Sequence, residues 1–132
     1  MNLNYKYGDV TELIIKAFYN VYNKLGYGFL EKVYENSLLI EIKKLGMCVK
    51  NQVPIIVFYD DQAVGTYFAD LLVDNKVIVE LKAAECIAEE HEAQLVNYLR
   101  ATVFEVGLLL NFGKKAQFKR KAFSNEYKTN LN

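Results

Sequence analysis

The stretch VDNKVIVELKA, residues 73–83, is an apolar strand that follows a turn and is interrupted by two charged residues. Glu80 and Lys82 are two positions apart, and side chains with that spacing on a strand point to the same face. Asp70 interrupts the preceding apolar stretch, YFADLLV, in the same way. The question for the fold is therefore whether these three charged groups meet.

The loop between the two strands decides this. A two-residue loop would pair Val73 with Lys76 and leave Asp70 on the face away from Glu80. A three-residue loop pairs Val73 with Val77, places Asp70 directly opposite Glu80, and needs Asn75 or Lys76 in the left-handed conformation. We favour the three-residue loop because it makes one face wholly apolar. That face carries Ala69, Leu71, Val73, Val77, Val79 and Leu81, and the other is apolar near the turn and charged at its far end.

Two carboxylates at that distance repel each other unless a cation lies between them. Lys82 would be that cation in a structural salt bridge. The alternative is a divalent metal, since Mg²⁺ takes one or two carboxylates and keeps water-filled positions for phosphate oxygens. The residues themselves leave both readings open.

Composition indicates one globular domain. The chain has 132 residues, of which 52% are hydrophobic and 24% charged, and its formal net charge is zero. We expect a single domain over residues 1–132, with a core of about 8–113 and a basic C-terminal edge segment, 114–132. Because the bulk charge is neutral, any nucleic-acid contact must use a local basic surface.

The cysteines and the apolar runs predict a cytoplasmic protein. Cys48 and Cys86 form no CxxC pair, and no zinc-ligand spacing surrounds His91, the single histidine. The two cysteines are expected to be reduced thiols. No apolar run is long enough to cross a bilayer, so no membrane partner is expected.

Hydrophobic periodicity predicts an α/β fold. Apolar residues at helical spacing, and then at strand spacing, predict the element order ααβββαβ(β). The first three strands should form an antiparallel meander within a mixed sheet that has helices on both faces. The expected helices are 9–26, 30–45 and 88–101, and the expected strands are 53–59, 66–73, 76–83, 104–112 and 117–123.

The spacing of Asp70 and Glu80-Leu81-Lys82 resembles the D…(D/E)xK signature of the PD-(D/E)XK nuclease superfamily, although Ala69 stands where the proline of that name would be. Three further stretches are similar to a small family within it, named for its GxxExxY motif. They are GFLEKVY (28–34), HEAQLVNYLRAT (91–102) and GLLLNFG (107–113).

The resemblance implies a PD-(D/E)XK nuclease-like αβββαβ core with an extra helix near the N-terminus. It implies that Asp70 and Glu80 bind Mg²⁺ or Mn²⁺, with the carbonyl of Leu81 as a further ligand. Lys82 would orient or polarise the attacking water, and Glu31 would be the additional acidic residue of the site.

The phase of the second helix is expected to direct Glu31 at this pair while Val33 and Leu38 face the core. The alternative is that Glu31 and Glu35 are solvated helix carboxylates.

The resemblance also assigns residues around the metal. Gln94 and Tyr98 are four apart on a helix and share a face, with His91 nearby. They would line the site together with Tyr34, and Gln94 would have a catalytic role. The alternative for Gln94 is a hydrogen bond to the backbone, and for His91 it is a local hydrogen bond. The alternative for Tyr34 and Tyr98 is that their rings only pack against neighbouring residues. Lys119 and Arg120, in the basic stretch GKKAQFKRK, would contact phosphate or protect an edge strand from aggregation.

The leading hypothesis is a Mg²⁺-dependent phosphodiesterase that acts on nucleic acid, in the first place DNA. The main alternative is a nuclease-fold protein that binds nucleic acid or a protein partner without turnover. A nuclease restricted to RNA or to branched structures is a third. Because the chain is small and has no separate DNA-reading domain, a homodimer or a protein partner is expected.

Overall fold

A computed structural model of the protein describes residues 5–129. Its helices are α1 (Gly8–Leu25), α2 (Glu31–Lys44) and α3 (Glu89–Arg100), and a short 3₁₀ turn covers Asn125–Tyr127. Its strands are β1 (Val49–Tyr59), β2 (Gln62–Val73), β3 (Val77–Lys82), β4 (Val106–Phe112) and β5 (Ala116–Ala122). The predicted order and the α/β class are confirmed, although β1 and β2 begin earlier than expected. The ends of the predicted domain, residues 1–4 and 130–132, lie outside the described residues.

The five strands form one mixed sheet in the order β1-β2-β3-β4-β5. The first three strands are antiparallel neighbours, as predicted. β3 and β4 are parallel and are joined through α3, whereas β5 pairs antiparallel with β4 at the edge. Within residues 5–129 no helix is both long and apolar enough to span a bilayer.

Helices cover both faces of the sheet, which explains why β3 and β4 are apolar on both sides. On one face, α1 and α2 bury residues such as Phe18 and Leu38 against the sheet. On the other face, α3 buries Leu95 and Leu99 against Ile78 and its neighbours. Apolar residues at three- and four-residue intervals on each helix supply these contacts.

The hairpin between β2 and β3 has the predicted register. Val73 pairs with Val77, so the three-residue loop is confirmed. The Lys76 N–H donates to the Val73 carbonyl at 2.9 Å. Asn75 is left-handed (φ 56°), as one option required, and so is Asp74 (φ 52°). Both residue types tolerate this conformation because their short polar side chains fit it.

One expectation about this hairpin is wrong. Ala69 was assigned to the same face as Leu71, but it packs in the cluster under α3, whereas Leu71 packs under α1 and α2. The alternation breaks at Asp70, which falls in a gap in the β1–β2 pairing opposite Gln52. Gln52 has φ 51°, and a left-handed residue turns the strand out of its regular pleat.

Candidate active site

Asp70 and Glu80 lie where β2 and β3 stop pairing. The last pair near them is Leu71 with Val79. Beyond it, the Asp70 N–H donates to Glu80 Oε1 at 2.9 Å, and the Leu81 N–H donates to Asp70 Oδ2 at 2.8 Å. Each carboxylate therefore accepts a hydrogen bond from the backbone of the other strand, and the two groups face each other. We call Asp70 and Glu80, joined in this way, the crossed pair.

The carbonyl of Leu81 points in the same direction. In an extended strand the N–H and C=O of one residue project to the same side. Since the Leu81 N–H reaches Asp70, its carbonyl is directed toward β2, beyond the last strand pair. An oxygen in that position suits the further ligand that the resemblance implies.

The crossed pair carries negative charge in a largely buried place. Glu80 is 5% exposed, and burial, followed by the charge of Asp70, raises the pKa of Glu80 to about 8. Burial also raises the pKa of Asp70, although the hydrogen bond from Leu81 opposes this. Removal from water and like charge both disfavour the ionised forms. A cation bound at the pair would relieve both effects.

Lys82 is half-buried next to the pair, and its charge favours ionisation of both carboxylates. It is nevertheless not bonded to either. The ion pairs found within 4.0 Å among residues 5–129 do not include Lys82. The structural salt bridge, which was one of the two readings of this sequence, is not formed.

Glu31 is the first residue of α2 and lies close enough to the crossed pair for their charges to influence each other. Glu31 as a whole residue is exposed, but its carboxyl group is partly buried, and this burial raises its pKa. The positive charge of Lys82 lowers the pKa of Glu31, and the negative charge of Asp70 raises it. These influences mean that Glu31 borders the site, so it is not simply solvated. On the same helix Leu38 is fully buried, as expected, whereas Val33 is 38% exposed and was wrongly assigned to the core.

The loop before α2 explains the spacing of Gly28, Glu31 and Tyr34. Gly28 has φ 108°, which favours glycine. The Tyr34 hydroxyl donates to the Gly26 carbonyl at 2.7 Å and accepts the Phe29 N–H at 3.3 Å. This bracket fixes the start of α2 and hence the position of Glu31.

Tyr34 itself does not line the candidate site. It is fully buried, and its ring stacks on Phe112 with centroids 4.1 Å apart. Of the two roles considered for Tyr34, the geometry matches packing.

Two side chains of α3 lie near the site: Tyr98 near the pair, and His91 near Glu31. His91 Nδ1 accepts the Ala88 N–H at 3.1 Å, so the neutral ring carries its proton on Nε2. In its protonated form His91 lowers the pKa of Glu31, so the two side chains lie near each other. Burial, and then the charges of Glu80 and Asp70, raise the pKa of Tyr98 to about 12, so its hydroxyl can donate a hydrogen bond but is a poor base.

Grooves adjoin the site on two sides. One, of about 740 Å³, lies between α3 and the β1–β2 hairpin. Its lining includes Phe58, Tyr67, Gln94, Asn97 and Tyr98. The other, of about 560 Å³, is bounded by Glu31, Ala83 and Lys114, among others. Asp70 and Glu80 line neither groove themselves; the larger groove reaches the site at Gln94 and Tyr98, and the smaller one at Glu31.

The basic residues of β5 are not brought to the pair. Adjacent strand residues point to opposite faces, and Arg120 accordingly lies on the α1 side, where it donates to the Lys6 carbonyl at 2.6 Å. Burial lowers the pKa of Arg120. Lys119 is exposed opposite Leu109, on the α3 side.

Sequence reasoning missed a buried carboxylate network behind Asp70. Glu35 is 4% exposed and accepts bonds from Lys32 at 2.8 Å, Asn51 at 3.1 Å and Gln52 at 2.8 Å. The Gln52 amide also reaches Asp70 Oδ1 at 3.4 Å. These donors lower the pKa of Glu35 against the effect of its burial. The solvated-helix alternative is therefore wrong for Glu35.

Asn111 was missed as well. It is fully buried, accepts the Ala84 N–H at 2.9 Å and donates to the Ala84 carbonyl at 3.0 Å. Gly113 leaves room for that loop, since a Cβ there would lie 2.2 Å from the Ala84 oxygen. Together they fix the chain directly after Lys82. The available signal was an asparagine, followed by a glycine, in an otherwise apolar strand.

The oxygen atoms at the crossed pair are suitable ligands for a hard divalent cation. Among residues 5–129 no three His, Cys, Asp or Glu side chains gather around one point as a metal cluster. Two facing carboxylates with a backbone carbonyl nearby nevertheless match Mg²⁺, which retains several waters. Burial raises the pKa of both carboxyl groups, and a cation would favour their ionised forms, which supports the same fit.

One comparison with known proteins agrees with this α/β fold. A family model described as PD-(D/E)XK nuclease superfamily matches residues 8–121, and the chain belongs to that superfamily. Members of this superfamily generally use divalent metals. Searches of curated proteins and of solved structures returned no significant match.

Proposed function

We propose that this protein is a Mg²⁺- or Mn²⁺-dependent nuclease that hydrolyses phosphodiester bonds of nucleic acid, in the first place DNA. The crossed Asp70–Glu80 pair, with Lys82 beside it but not bonded to it, carries this proposal. A lysine that lies next to two carboxylates, one buried and one half-buried, without an ion pair to either suits a site where water attacks a phosphate.

Each site residue then has a distinct task. A bound divalent metal would supply charge stabilisation at the phosphate and lower the pKa of a water. Asp70, Glu80 and the Leu81 carbonyl would hold it. Lys82 would orient the attacking water, and Glu31 would accept a hydrogen bond from it or from a metal-bound water.

The residues of α3 would act on the substrate side. Tyr98 keeps its hydroxyl proton and would donate to a phosphate oxygen, and the Gln94 amide and His91 Nε2–H are further donors at that rim. Tyr67 and Tyr98, with ring centroids 5.8 Å apart, would give unpaired bases a surface for stacking in the groove. Lys119 stays available for an outer phosphate, unlike Arg120.

We also infer that the chain belongs to the GxxExxY family within the superfamily. The hydrogen bonds of Tyr34 to Gly26 and Phe29 give that motif a physical purpose, since they fix Glu31 at the start of α2.

The chain would work as one domain with a core of residues 8–113. It would act in the cytoplasm, where exposed cysteines stay reduced. A homodimer or a protein partner would extend its small contact surface.

Replacing Asp70 by asparagine tests the proposal. Purified protein is incubated with plasmid, linear, branched and single-stranded DNA and with RNA, in Mg²⁺, Mn²⁺ or EDTA. We expect metal-dependent cleavage by the wild type and none by Asp70→Asn. Asp61→Asn, in the exposed β1–β2 turn, is the matched control and should cleave normally. Nucleic-acid binding without cleavage under every condition would favour the non-catalytic alternative instead.

A further inference from the structure

We propose that Gln52 is a positioning residue that couples Glu35 to the metal ligand Asp70. The proposal rests on the proposed function, because it concerns the same carboxylate pair. No motif of the sequence includes Gln52, and it lies on β1, outside the strands and helices that carry the expected site residues.

The backbone at Gln52 is held in an unfavourable conformation. Its φ of 51° lies in the left-handed region, which a glutamine adopts rarely. Consecutive residues of a regular strand point to opposite faces, yet Asn51 and Gln52 both bond Glu35. The distortion is what brings the second amide to Glu35. Strain of this kind beside a cluster of charged groups is a mark of a functional position.

The hydrogen bonds of the Gln52 amide have one consistent assignment. Both of its neighbours are carboxylates, which accept when ionised, so the NH₂ group must face them. One N–H donates to Glu35 Oε1 at 2.8 Å and the other approaches Asp70 Oδ1 at 3.4 Å. The amide is thus anchored on the buried Glu35 and extends its second donor to Asp70.

This contact completes the fixation of Asp70. Its Oδ2 already accepts the Leu81 N–H at 2.8 Å. With Gln52 on Oδ1, both oxygens have a donor, so rotation of the carboxylate is opposed from two sides. The lone pairs that remain are the ones available to a cation shared with Glu80. Groups that orient metal ligands in this way commonly change metal affinity or activity by about 10–100-fold when they are removed.

Gln52→Gly is the most direct test, because glycine adopts a positive φ without strain and removes the amide together with the two methylenes that carry it. Asn75→Gly is the matched control, since it also replaces an exposed amide residue at positive φ (56°) in a turn of this sheet. Mn²⁺ binding is measured by electron paramagnetic resonance or calorimetry, and thermal unfolding reports folding. The χ1 rotamer of Asp70 is measured in EDTA from three-bond NMR couplings.

We expect Gln52→Gly to melt close to the wild type, to bind Mn²⁺ about tenfold or more weakly, and to show an averaged Asp70 rotamer. Asn75→Gly should match the wild type in all three. Gln52→Asn, which tolerates the backbone but is one methylene shorter, should bind Mn²⁺ with intermediate affinity.

A single Asp70 rotamer and unchanged Mn²⁺ affinity in Gln52→Gly would overturn the proposal while leaving the nuclease proposal intact. A wild type that binds no Mn²⁺, although Gln52→Gly averages the Asp70 rotamer, would instead refute the metal site and keep the positioning role. A Gln52→Gly protein with a much lower melting temperature would mean that Gln52 supports the fold, and this too would overturn the proposal.

Discussion

Replacing Glu80 by glutamine should make the metal-free protein more stable in alkaline solution. Burial and the charge of Asp70 raise the pKa of Glu80 from an ordinary 4.5 to about 8. A carboxyl whose pKa is higher in the folded than in the unfolded state stabilises the fold at low pH, and this stabilisation is lost as the pH rises through the folded pKa. Glutamine retains an oxygen for the Asp70 N–H and has no proton to lose.

The size of the effect follows from the same two values. The difference between 4.5 and about 8 corresponds to about 5 kcal/mol of unfolding free energy, at about 1.4 kcal/mol for each tenfold change in proton affinity. The loss should develop between about pH 4.5 and pH 8 and be complete above this range. Asp70, whose pKa is raised in the same direction, should add to it.

Urea unfolding in EDTA at several values between about pH 5 and pH 9 measures this loss. The wild type should lose stability as the pH rises, and the Glu80→Gln protein should lose much less. Mn²⁺ should restore the wild type at high pH by binding the folded state, with little effect on the variant. If both proteins keep the same stability across this range, an ionised Glu80 is not costly to bury, and the reasoning is refuted.

Three further substitutions test other parts of the structure. Lys82→Ala should keep Mn²⁺ binding and lose cleavage. Its unfolding free energy should change by less than about 1 kcal/mol, because no ion pair is lost. A variant that barely folds in urea titrations would contradict this expectation. Tyr67→Ala should weaken binding of single-stranded oligonucleotides by about 1–3 kcal/mol, as measured by fluorescence anisotropy. Tyr59→Ala is the control, because Tyr59 lies outside the groove, and it should not weaken binding. Equal losses of affinity in the two variants would exclude stacking at Tyr67. Gly113→Ala places a Cβ 2.2 Å from a backbone oxygen and should cost about 1–3 kcal/mol in thermal unfolding. Gly65→Ala, with its nearest contact at 3.8 Å, is the control, and equal melting temperatures would contradict the steric argument.

The sequence predicted the elements and the decisive register because both follow from apolar periodicity. Val73 pairs with Val77, the register that places Leu71, Val79 and Leu81 with them on one apolar face. The wrong assignment of Ala69 has a different origin. Alternation assumes a regular pleat, and the left-handed backbone of Gln52 on the neighbouring strand breaks it. Nothing in the local sequence indicates a positive φ at a glutamine.

The rest of the candidate site depends on contacts between distant segments. In the sequence, Glu35 resembles any solvated helix carboxylate. Only the structure shows that the Asn51 and Gln52 amides of β1 donate hydrogen bonds to it. Arg120 resembles a phosphate contact until its guanidinium is found on the Lys6 carbonyl. Tyr34 was recognised as part of a motif, but its partner, the Gly26 carbonyl, precedes the motif and carries no side-chain signal.

Two carboxylates link β2 and β3 at the site, since Glu80 accepts the Asp70 N–H and Asp70 accepts the Leu81 N–H, so the spacing of these strands there should depend on charge. Past Leu71 and Val79, β2 and β3 are joined through carboxylates in place of a backbone ladder. A proton or an ion that alters the pull between these groups must therefore alter the separation of the strands. Because β2 continues into the hairpin with β1 that forms one wall of the larger groove, that change acts on the groove through the backbone. We therefore expect a proton or a cation at the crossed pair to influence the width of the larger groove.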